Sequence, residues 1–128
     1  EKLTNLAIDR IVSLKQVRKE YVINTKLNFE DYFYDVVGVT VKHDENPQKV
    51  IIRVSEELLP YILNKPIHGS QKMRKTKDGD IMIELLVQIN YELTSQLFAF
   101  MDGIEIIEPT NYRKQFEDIL KRTLEKYL

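Results

Sequence analysis

Ile81, Ile83, Leu85, Val87 and Ile89 alternate with their neighbours without a miss for nine residues. A period of two is the mark of a strand with one face on a core. The rest of the chain can be read outward from this stretch. Asp78-Gly79, just before it, signals a two-residue hairpin turn with positive φ at both central positions. "QKMRKTK" on the far side is then the first strand of the hairpin. "KVIIRVS", from Lys49, predicts another strand. "EELLPYILNK" predicts a helix that begins near Pro60, since proline cannot donate the bond a helix interior needs. "YELTSQLFAFMDG" sets Leu93, Leu97, Phe100 and Met101 on one side of a helix, with Gly103 as its stop. "IEIIEP" reads as a short strand. Thr110 is expected to cap a last helix with one face of Tyr112, Phe116, Ile119, Leu120, Thr123 and Tyr127.

Upstream the pattern is weaker. Leu6, Ile8, Val12 and Leu14 at even positions, with Asp9, Ser13 and Lys15 between, predict a half-buried strand. Asn28 is placed to cap a helix carrying Phe29, Tyr32, Phe33 and Val36, and Gly38 to end it. Residues 42–49 are polar, contain Pro47 and read as a loop or linker.

From Lys49 the order is strand, helix, strand, strand, helix, strand, then one more helix. That is the split βαβ, ferredoxin-like α+β sandwich with an extra C-terminal helix. Both inner helices would cover one sheet face. Alternation points Ile51, Arg53, Met82, Glu84, Leu86 and Gln88 to the other. Such a mixed, partly apolar surface marks an interface. A homodimer through it, with Arg53 and Glu84 matched across a two-fold axis, is the expectation.

Composition narrows the function. With 128 residues and 43% hydrophobic positions, the chain can bury a core. The net charge of −1 argues against a free-standing nucleic-acid module. Charge is uneven, since residues 1–28 hold six basic and three acidic side chains. There is no cysteine, which fits a cytoplasmic setting, and no apolar run long enough to cross a membrane. The chain opens on Glu1, almost directly in a strand-like pattern, so a piece of a longer protein is expected.

Candidate chemistry is sparse. His43 and His68 are the only histidines, and neither has carboxylates at metal-ligand spacing. His68 and Ser70 lie close in sequence, but "HGS" lacks the strand-turn-helix elbow that presents a nucleophile. No phosphate-binding glycine loop occurs, and "RVSEELLP" offers glutamates where an anion cradle would be needed. No metal, cofactor or catalytic residue is expected. His68, Gly69, Ser70 and Gln71 read as a structural corner before the second strand. Lys72, Arg74, Lys75 and Lys77 read as the protective charge of an edge strand. The strands supply no aromatics for stacking bases, unlike RNA-binding members of this fold.

Six segments in order carry a resemblance: "NLAIDRIVSLK", "EDYFYDVVGV", "KVIIRVSEELLPYI", "IHGSQ", "DGDIMIELLV" and "GIEIIEPTNYRKQFEDIL". Together, from about Asn5 to Tyr127, they resemble the C-terminal half of bacterial WYL-domain transcriptional regulators. In that family a DNA-binding winged helix precedes a small Sm-like β-barrel, the WYL domain, and a C-terminal extension called WCX. "AIDRI" matches the segment that ends the barrel. His68, Ser70 and Gln71 match the corner that opens a strand of the extension. Ile107, Glu108, Pro109, Tyr112 and Arg113 match the entry to its last helix. The resemblance implies that residues 1–27 are the C-terminal strand region of a WYL barrel, 28–48 a helix and linker, and 49–128 the WCX extension. The Trp-Tyr-Leu signature itself is absent, and the chain has no tryptophan. The implied role is effector sensing and dimerisation for a regulator whose helix-turn-helix domain makes the DNA contacts. A nucleotide or nucleic-acid-like effector is implied, with Arg10 as its candidate ligand. A small-molecule-binding ferredoxin-like sensor and a purely structural dimerisation module are the alternatives.

Overall fold

The computed structural model describes residues 3–128. Its centre is a four-stranded antiparallel sheet in the order β2-β3-β1-β4, the ferredoxin-like order. The strands are β1 (Gln48–Val54), β2 (Lys72–Lys75), β3 (Ile81–Val87) and β4 (Ile104–Glu108). The helices are α1 (Phe29–Phe33), α2 (Leu59–Asn64), α3 (Tyr91–Phe98) and α4 (Thr110–Glu125). The α+β class, the strand order of events and the extra C-terminal helix are those read from the sequence.

Alternation builds the core. Val50, Ile52 and Val54 of β1, Ile83, Leu85 and Val87 of β3 and Ile106 of β4 form one buried cluster with Ile62 of α2, Leu93 and Leu97 of α3, and Tyr112 and Phe116 of α4. Each such side chain contributes about 1.5–3 kcal/mol of burial. Phe98 and Phe116 stack with centroids 3.9 Å apart, locking α4 beside α3. In β4, Ile106 faces Ile52 but Glu108 faces Ile51, so Ile107 is an extra residue. This bulge turns Glu108 away from the core, where uninterrupted alternation would have sent it.

Pro60 sits in the first turn of α2, as its missing N–H requires. The hairpin differs from expectation in kind. Lys75 pairs with Ile81, the Thr76 N–H donates to the Asp80 carbonyl at 2.9 Å, and the Gly79 N–H donates to Thr76 O at 3.1 Å. Only Gly79 has positive φ, +92°. The connection is therefore a three-residue loop with glycine in the left-handed position, which spares Asp78 that conformation.

Four other expectations are corrected. Residues 6–14 form no strand; apart from a 3-10 turn at Ile8–Arg10 they have no regular structure, and Leu6, Ile8, Val12 and Leu14 are at least 84% exposed. A strand needs a ladder partner, and none of the described strands pairs with this segment. Gly103 does not end α3 through a left-handed φ. A β-carbon there would lie 2.9 Å from Leu58 Cδ2, so glycine permits close approach, and the left-handed residue is Met101, φ +52°. Met101 is exposed rather than packed. Thr110 does not cap α4; Pro109 holds that position without a side-chain bond.

Candidate functional site

The corner brings together the four residues grouped in the sequence. The Ser70 N–H donates to His68 Nδ1 at 3.1 Å, so that nitrogen is the acceptor. Nε2 then carries the proton and donates to the Tyr34 carbonyl at 2.6 Å. Ser70 Oγ lies 2.8 Å from Nδ1 and accepts from the Leu86 N–H at 2.9 Å. Gln71 Oε1 accepts from Ile67 N and its Nε2 donates to Ile62 O. Gly69 is exposed, with open space around it. The corner thus ties β3, the end of α2 and the segment after α1 into one network. The serine hydroxyl is engaged on both sides by structure rather than presented to a ligand.

Beside it lies a second joint, which the sequence reading missed. Gln88 is 5% exposed. Its Oε1 accepts from Lys42 N at 2.9 Å, and its Nε2 donates to Lys42 O at 3.0 Å and Glu45 O at 2.7 Å. Asn90 caps α3 by accepting from Leu93 N, and its amide donates to Val37 O and Thr40 O. Glu92 Oε1 accepts from Thr40 Oγ1 at 2.7 Å and from the Thr40 and Val39 N–H groups. Burial pushes the Glu92 carboxyl upward, but these hydrogen bonds outweigh it and hold the group below its ordinary range. An asparagine three residues before the first buried helix position was the available signal for Asn90.

The sheet face away from the helices is not the open apolar surface expected. Ile51 and Met82 are 4% and 9% exposed within one chain, outside the helix-side cluster. Register explains this. Ile51 lies between Glu84 and Glu108, and Met82 between Arg74 and Arg53. Long charged side chains on both sides can lay their stems over the apolar ones. Arg53 and Glu84 do not await a second copy. Arg53 pairs with Asp80 at 3.4 Å and Glu105 at 2.9 Å, and Glu84 with Lys49 at 3.6 Å. Leu86 alone of the apolar members is exposed, and Gln88 belongs to the joint above.

Arg10 is exposed in the 3-10 turn. Among the described residues no group of three or more His, Cys, Asp or Glu side chains is placed to hold a metal ion. No helix of these residues is long and apolar enough to cross a membrane. A largely apolar recess of about 570 Å³ lies between β4 and α4. No curated protein matches the sequence. The WCX domain family does match, over residues 46–124, from just before β1 almost to the end of α4. Those limits take in the whole sheet, the His68 corner and well over half of the chain, which therefore belongs to the WCX domain family.

Proposed function

We propose that this chain is a regulatory, non-catalytic part of a bacterial WYL-type transcriptional regulator. In this reading it self-associates and relays an effector signal to a DNA-binding domain that precedes it in the gene product. The WCX match over residues 46–124 carries the proposal. The unpaired segment at residues 6–14 supports it. Its apolar positions alternate and stand exposed, which is what the last strand of a β-barrel looks like without its neighbours. Arg10 lies in that segment, within a stretch of net positive charge, and suits an anionic, nucleotide-like effector. The corner and the joint fit a relay, because they fasten the segment before β1 to the sheet at several points.

The decisive test is the reading frame upstream of Glu1. A helix-turn-helix followed by a Trp-Tyr-Leu stretch is expected, and the full product should bind operator DNA with an affinity that changes on adding a short single-stranded oligonucleotide. A reading frame without a DNA-binding domain defeats the proposal. An oligonucleotide response unchanged by Arg10→Ala removes Arg10 from it.

A further inference from the structure

From Leu120 onward α4 is exposed. Tyr112 and Phe116 are buried, while Leu120, Leu124 and Tyr127 are 51%, 58% and 84% exposed. Spacing of four keeps Leu120 and Leu124 on the side of Phe116, and Tyr127 follows in the turn just beyond the helix. Their stripe runs on directly from the recess beside β4, whose lining includes Phe98, Met101, Ile104, Phe116 and Leu120. Met101 stands at its mouth, 79% exposed and held at φ +52°. A left-handed non-glycine residue stores strain, and methionine is the side chain that adapts best to an irregular apolar partner. The far side of α4 carries the Lys114–Asp118 ion pair, and Lys121 reaches Glu117 at the edge of the groove.

We propose that this groove and the overhanging end of α4 form the self-association surface, each copy laying its α4 end in the groove of the other. This deepens the self-association part of the reading above by naming its surface. The occupant follows from complementarity within one chain. Residues 120–128 carry Lys121, Arg122 and Lys126 against one acid, Glu125. The groove rim carries Asp102, Glu105 and Glu117 against one base, Arg113. Glu105, Glu117 and Lys121 are already engaged within the chain, so the opposite charges steer and orient the approach more than they lock it. An antiparallel pairing of two α4 helices about an axis at Leu120 sets Leu120 against its counterpart. It also sets Leu124 of each copy against Phe116 of the other, so the stripe of one helix enters the recess of its partner. Such an arrangement is isologous and closes at two copies.

The test is made on the whole chain, so it stands apart from whether a DNA-binding domain precedes it. Light scattering from low to high micromolar concentration should show a monomer–dimer equilibrium. Leu124→Glu, at an exposed position, should leave the thermal melt unchanged at dilutions where the chain is monomeric and weaken dimerisation about tenfold or more. Leu86→Glu, on the sheet face, should leave dimerisation intact. Because the chain has no cysteine, Leu120→Cys should yield a covalent dimer on mild oxidation. A chain that stays monomeric throughout, a dimer lost with Leu86→Glu but kept with Leu124→Glu, or a Leu120→Cys variant that fails to cross-link would each overturn the proposal.

Discussion

A β-carbon on Gly38 would lie 2.7 Å from Cγ of Glu92, and Gly38 itself is at φ +77°. Two independent constraints therefore demand glycine where the segment after α1 meets the start of α3. Gly38→Ala should cost more than about 1 kcal/mol from the backbone conformation alone, with the clash added to it. Calorimetry should show a melting temperature lowered by several degrees. An unchanged melt would mean that the contact yields freely.

Glu92 should make this contact sensitive to acid. Its carboxyl is held below the ordinary value of 4.5 in the folded chain. The stabilisation is therefore present above that value and is lost as pH falls through the lower, folded one. Hydrogen exchange at the Val39 and Thr40 amides, relative to the intrinsic rate at each pH, should rise as the solution is acidified below the ordinary carboxylate range. In Glu92→Gln the acid-dependent part of that rise should vanish. A slope that survives the substitution would assign the effect to another group.

His68→Ala should remove the links to the Tyr34 carbonyl and the Ser70 N–H and cost about 1–3 kcal/mol. The expected signature is a lower melting temperature, with the sheet intact by circular dichroism. A metal ion bound at His68, or a hydrolytic activity abolished by Ser70→Ala, would contradict the structural role.

At the hairpin, φ of +92° with open space around Gly79 makes the cost of substitution purely conformational. Gly79→Val should destabilise clearly, and Gly79→Asn much less, since asparagine tolerates the left-handed region. Equal melting temperatures for the two variants would refute this.

The strands and the hairpin's position were legible because every second residue, Val50, Ile52 and Val54 of β1 and Ile83, Leu85 and Val87 of β3, enters one helix-side core. The Asn28 cap and the start of α2 were legible because each rests on local chemistry, a side-chain acceptor or a missing N–H. What failed depended on partners distant in sequence. Residues 6–14 have the pattern of a strand, but pattern does not supply a neighbour to pair with. Gln88 continues the alternation of β3 toward the outer face, yet its amide is taken up by a loop more than forty residues earlier. Ile51 and Met82 were assigned to an exposed surface because alternation distinguishes two faces and not how deeply flanking side chains cover each. Gly103 looked like a helix stop, and only the tertiary approach of Leu58 shows what requires it.

The Gln88 carboxamide has a mechanical consequence. With three bonds to the backbone at Lys42 and Glu45, it welds the approach to β1 onto the end of β3. The stretch before the sheet is therefore a bracket and not a tether. Residues 37–45 keep a fixed bearing relative to the strands. Gln88→Ala would release Lys42 and Glu45 while Asn90 and Glu92 keep their hold on Val37 and Thr40.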